Sequence, residues 1–108
     1  MYEYAAKLDR IIDGDTLTLN IDCGFGIWKI DEVVRLYGIN CPELPTPEGI
    51  AAKDFVQRWK AENGPVCIVQ TVKDKREKYG RLLATIHAGL RCLNDDLVTS
   101  GHAIKKVY

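Results

Sequence analysis

The chain has 108 residues, 46% of them hydrophobic, and its 15 basic and 15 acidic residues cancel. That length suits one domain, residues 1–108, around a single core. No apolar run approaches the ~20 residues of a membrane span, and zero net charge means that any affinity for nucleic acid must come from local clusters.

Tyr2 to Ile12 reads as a first strand with a bend or bulge, since Tyr4, Ala6 and Leu8 alternate and Ile11-Ile12 shifts the pattern. Met1 leads through Tyr2-Glu3-Tyr4 into this strand without the charged and apolar regions of a signal peptide, so the chain as given is expected to be cytoplasmic, or secreted or periplasmic within a longer native protein. Asp13-Gly14-Asp15-Thr16 is a hairpin signal, with glycine expected at positive φ. Leu17, Leu19 and Ile21 then alternate with polar residues as a second strand. The connection from Cys23 to Lys29 carries Phe25 and Trp28, and aromatics there are expected to pack down on the sheet more often than to stack on bases.

A third strand covers Val33, Val34 and Leu36 and ends near Ile39, with Arg35 interrupting its apolar run. A guanidinium so placed keeps its charge and needs a carboxylate or an anionic ligand. Gly38 permits a bend and Pro42 extends Cys41, so that Glu43 leaves the sheet on a shaped turn. Thr46-Pro47-Glu48 then reads as a helix start, Ala52, Phe55, Val56 and Trp59 share one face, and Asn63-Gly64-Pro65 ends the helix.

A fourth strand from about Val66 to Val72 leads into the charged run Lys73 to Lys78, of the kind that usually forms a solvated loop. Tyr79-Gly80-Arg81 turns into a fifth strand over Leu82 to His87, and Leu93, Leu97 and Val98 mark a short second helix stopped at Gly101. Five short strands, a helix between the third and fourth, and a short C-terminal helix predict an α+β fold built on a five-stranded oligonucleotide-binding (OB-fold) barrel. Cys23, Cys41, Cys67 and Cys92 include no C-x-x-C pair, which argues against zinc and for reduced, mostly buried thiols.

Three motifs stand in register with this plan: Ile12-Asp13-Gly14-Asp15-Thr16, Val34 to Glu43, and Lys78-Tyr79-Gly80-Arg81-Leu82-Leu83-Ala84. Together with the Leu93-Asn94 to Gly101 segment they resemble the staphylococcal nuclease-like (thermonuclease) family over nearly the whole chain. The resemblance implies an OB-fold barrel with three helices, one calcium ion, and phosphodiester cleavage of DNA and RNA. It implies that Asp15, Asn40 and the backbone carbonyl of Cys41 ligate the metal, with Asp13 supporting Asp15 from behind. Glu43 would activate the attacking water, Arg35 and Arg81 would hold the phosphate, and Lys78, Tyr79 and Tyr108 would border the nucleotide. Single strands are the expected substrate, passing along Lys73, Lys75, Arg76, Lys78 and Arg81.

The residues suit that chemistry, because one hard cation and two guanidiniums oppose the charge that develops on the equatorial oxygens of a phosphodiester under attack. The chain departs from the family where active members carry a second metal-binding aspartate, here Asn40. An amide oxygen ligates without adding charge, so weaker calcium binding and slower turnover are expected. The C-terminal register of Tyr108 is a second departure. The rival reading is a nuclease-like module that has lost catalysis and binds nucleic acid or a protein partner.

Overall fold

The computed structural model describes residues 2–106, apart from the side chain of Lys73, so the expectation for Tyr108 lies outside the described residues. In chain order the elements are β1 (Tyr2–Asp13), β2 (Thr16–Asp22), β3 (Trp28–Leu36), β4 (Ile39–Asn40), α1 (Pro47–Asn63), β5 (Val66–Arg76), β6 (Leu82–Ala88), β7 (Arg91–Cys92), α2 (Leu93–Thr99) and β8 (Ile104–Lys105). Antiparallel pairing runs β3-β2-β1-β5-β6, and β3 closes on β6 in parallel through Val34↔Leu82, Arg35↔Leu83 and Leu36↔Ala84. The result is a closed five-stranded mixed β-barrel with two helices, an α+β fold of the OB type.

Alternation on the strands turns Leu17, Leu19, Val34, Leu36, Val69 and Ile86 fully into the barrel. The expected irregularity in β1 is present as register shifts on either side of Ile11. On α1, Ala52, Val56 and Trp59 face the core. Thr46 caps this helix by accepting the Gly49 N–H at 3.0 Å, and Pro47 stands in its first turn. Gly64 at φ +82° ends it, a conformation that glycine adopts without steric cost. Trp59 Nε1 donates to Asp96 Oδ2 at 2.8 Å and so fastens α1 to α2.

Several boundaries differ from the sequence reading. β3 starts at Trp28 and ends at Leu36, and Ile39–Asn40 is a separate strand paired with β8, because the Tyr37-Gly38 turn (Gly38 φ +81°) breaks the run. β5 continues to Arg76, so part of the expected charged loop is strand. Two of its charges are engaged: Asp74 accepts from the Tyr4 and Thr71 hydroxyls at 2.8 and 2.6 Å, and Arg76 pairs with Glu32. Phe25 is fully exposed and does not pack down, whereas Trp28 is 42% exposed and has Lys7 Nζ of β1 5.7 Å from its ring, so it lies in part against the sheet. The four cysteines are free thiols, but only Cys67 is buried and Cys23 is exposed. No helix among the described residues is long and apolar enough to cross a membrane.

Candidate active site

The site begins at the hairpin joining β1 to β2. Asp13 pairs with Thr16, and Asp13 Oδ1 accepts the Asp15 N–H at 3.1 Å, so the turn holds itself through a side chain. Glycine is needed at position 14 for closeness, not for the positive φ expected from sequence. An added Cβ would stand 2.7 Å from Ala52 Cβ and 3.0 Å from Cys41 Cβ. The hairpin therefore lies directly against α1 and against the loop that carries Cys41.

That contact brings Asp15 to the third strand's arginine. Asp15 Oδ2 accepts the Cys41 N–H at 2.9 Å and pairs with Arg35 Nη2 at 3.4 Å. Arg35 Nη2 also donates to Asn40 Oδ1 at 2.5 Å, and Nη1 donates to the Leu36 carbonyl at 2.7 Å. The buried guanidinium thus finds the carboxylate its surroundings require, and it ties the strand end, the hairpin and the Asn40 loop together. Burial and the neighbouring Asp15 carboxylate hold the Asp13 carboxyl above the ordinary carboxylate range. Burial, with Asp15 and Asp13 adding to it, pushes the Cys41 thiol up to about 12, so that side chain is an inert neutral group.

Arg81 joins from the start of β6. Its Nε and Nη2 each donate to Glu77 at 3.1 Å, as a two-point fork, and Nη1 donates to Thr16 Oγ1 at 3.3 Å. Thr16 Oγ1 donates in turn to Asp15 Oδ1 at 3.3 Å. Glu77, Arg81, Thr16, Asp15, Arg35 and Asn40 therefore form one continuous chain of polar contacts. Tyr79, 72% exposed, lies beside it with Lys78 Nζ 5.0 Å and Arg81 Cζ 5.6 Å from its ring. Glu43 is exposed at the other side of the Asn40 loop. Its carboxylate makes no hydrogen bond or ion pair with the described residues, while its carbonyl accepts from the Thr46 hydroxyl at 2.6 Å. A Cβ at Gly49 would come within 2.3 Å of that carbonyl oxygen, so the first turn of α1 fixes the backbone of Glu43 by direct contact.

The structure thus brings together Asp13, Asp15, Arg35, Asn40, Cys41 and Arg81, with Lys78 and Tyr79 on the adjoining turn and Glu43 on the adjoining loop. Thr16 and Glu77 belong to the same assembly and were missed from sequence. Thr16 read only as a strand residue and Glu77 as one member of a charge run; the spacing of Glu77 and Arg81 across a Tyr-Gly turn was the available signal. Among the described residues no three His, Cys, Asp or Glu side chains are grouped to hold a metal. The donors present are oxygens, from Asp15 and the Asn40 amide with the Asp13 carboxyl behind, a set suited to a hard cation such as calcium.

The Glu77–Arg81 fork also predicts a pH response. Its hydrogen bonds hold the Glu77 carboxyl down at about 2. A depressed folded value adds stability above the unfolded carboxylate range, roughly pH 4.3, and that stability is lost as pH falls toward the folded value. Melting midpoints measured between these limits should drop further for the wild type than for Glu77→Gln, which has no proton to take up. Parallel curves would show that the fork adds nothing to stability.

The model of the family described as Staphylococcal nuclease homologue matches residues 33–108, more than half of the chain. A thermonuclease of Staphylococcus hyicus is 32% identical over 114 residues, covering 98% of this chain and 62% of that protein. A thermonuclease of Staphylococcus intermedius is 33% identical over 105 residues, covering 92% of this chain and 58% of that protein. The chain spans about three fifths of the length of these relatives. On the matched motifs, the barrel and this extent of identity, the chain belongs to the staphylococcal nuclease homologue family.

Proposed function

We propose that this chain is a calcium-dependent nuclease that hydrolyses phosphodiester bonds of DNA or RNA, with single strands preferred. One observation carries the reading: two guanidiniums converge on a single carboxylate, Arg35 directly and Arg81 through Thr16, and an unengaged carboxylate, Glu43, stands on the next loop. Glu43 takes the proton of the attacking water. Arg35 and Arg81 donate to the non-bridging oxygens as negative charge develops there, and each guanidinium has five N–H donors, more than its present partners use. Glu77 and Thr16 hold Arg81 in place, while Lys78 and Tyr79 border the nucleotide. Asp15, Asn40 and the Cys41 carbonyl are the residues that would hold calcium, which when bound supplies a second source of positive charge beside the phosphate. Lys75, Arg76, Lys78 and Arg81 give the strand its path.

Incubation of single-stranded DNA with calcium and with chelator tests the reading. Cleavage that requires calcium supports it. Salt-sensitive retention of the strand without cleavage in either condition would favour a binding module that has lost catalysis, the reading to which the uncharged Asn40 points. Asn40→Asp is expected to raise calcium affinity, measured by calorimetry, on the order of tenfold by adding one charged ligand. Unchanged affinity would remove Asn40 as a cause of weak binding.

A further inference from the structure

A cavity of about 320 Å³, lined by residues of β1, β2, β3, β5 and β6, is not used by the proposed chemistry. Its apolar lining includes Ile21 and Leu82, both buried, and Leu82 directly follows Arg81. Lys29 and Arg76 line it as cations, Arg76 being already paired with Glu32. Arg76 Nη1 donates to the Gly80 carbonyl at 2.9 Å, which ties this lining residue to the turn before Arg81. Tyr4, Thr71 and Asp74 supply polar groups along the same lining.

Asp74 stands where the β5 register shifts between Thr71 and Arg76, at φ +55°, a left-handed conformation that aspartate adopts more readily than most residues. The Thr71 hydroxyl accepts the Asp74 N–H at 3.0 Å and donates to Oδ1, while Tyr4 donates to Oδ2. Two hydroxyls thus fix the carboxylate, and each of its oxygens keeps a lone pair for a further donor. Apolar walls for a ring face, a fixed acceptor pair for a ring edge and cations for the flanking phosphates describe the chemistry of a nucleobase.

The acceptor pair also discriminates among bases. Guanine offers two adjacent donors, N1–H and N2–H, to a carboxylate. Adenine and cytosine set a ring-nitrogen acceptor beside their amino group, and thymine flanks its single N–H with carbonyls. We propose that this cavity is a guanine subsite for a nucleotide of the bound strand, an inference that rests on the nucleic-acid reading above.

The test is binding of labelled decathymidylate, with and without one central guanine, measured by fluorescence anisotropy in chelator at low salt, so that no strand is cut. The guanine strand should bind about tenfold tighter, as one good bidentate contact provides. Asp74→Asn should abolish that difference, read as the ratio of the two strands' affinities within the variant, so that the loss of one charge affects both strands alike; asparagine tolerates the same backbone conformation, so the fold is kept. Equal affinities for both strands in the wild type, or a guanine preference that survives Asp74→Asn, would overturn the subsite while leaving the nucleic-acid reading intact. Binding of neither strand, both in chelator and to Glu43→Gln in calcium, would overturn both.

Cys23 gives a second readout without substitution. It lines the cavity and is exposed, whereas burial pushes the Cys41 and Cys67 thiols up to about 12 and about 11. The guanine strand should slow reaction of Cys23 with a thiol reagent severalfold and the thymidine strand should not. Equal protection by the two strands would count against the subsite.

Discussion

Glu43→Gln is expected to lower the rate of calcium-dependent strand cleavage by about 10²–10⁴-fold, the usual contribution of a positioned general base. The side chain is exposed, and no hydrogen bond or ion pair of its carboxylate with the described residues is lost by the change. The fold should be indifferent to it, with a melting midpoint close to that of the wild type, because exposed substitutions away from special features change stability by about 0.5 kcal/mol or less. Retention of single-stranded DNA should also persist, since Arg35 and Arg81 remain. A rate unchanged in Glu43→Gln, with both proteins purified identically, would place the base elsewhere or trace the cleavage to a contaminant.

Arg35→Ala should fail in the opposite way, through the structure as well as the chemistry. The guanidinium is shared among Asp15, Asn40 and the Leu36 carbonyl, and the side chains of Arg35 and Asp15 are only 11% and 15% exposed. Removing one partner of a largely buried ion pair leaves the other charge uncompensated, at a cost of about 3–5 kcal/mol. For a domain of this size that lowers the melting midpoint by roughly 10 °C or more. Cleavage should be lost even at temperatures where the variant is still folded, because one of the two phosphate donors is gone. A variant that melts with the wild type would show that Asp15 and Asn40 find other partners, and would remove Arg35 as the organiser of the loop.

Much of this architecture is legible in the sequence for identifiable reasons. Leu17, Leu19 and Ile21 alternate because one face of β2 fills the barrel, and Thr46-Pro47 announces α1 because both residues answer to the unpaired N–H groups of a first turn. Arg35 could be read as needing a carboxylate, though not which one, since Asp15 meets it across a separation of twenty positions in the chain. Contacts that depend on closure were invisible. Gly14 and Gly49 look like ordinary turn and helix residues, yet each is small because backbone or side-chain atoms from another segment occupy the space a methyl would need. Asn94 is similar. It reads as a polar residue in the first turn of α2, whereas its buried amide donates to the carbonyls of Tyr37 and Ala84 and accepts from the Ile86 N–H. Glu77 was hidden by its neighbours, because a run of charges carries no mark of which member turns inward.

The parallel seam between β3 and β6 is only three residue pairs long, yet it lies between the strand carrying Arg35 and the strand introduced by Arg81. A dianionic ligand gripped by both guanidiniums therefore acts as a clasp across the shortest closure in the barrel. Affinity and resistance to opening become linked: a ligand that fits the site stabilises the closed barrel by an amount that grows with the logarithm of its concentration above the dissociation constant, and a breach of the seam dismantles the site before any side chain is altered.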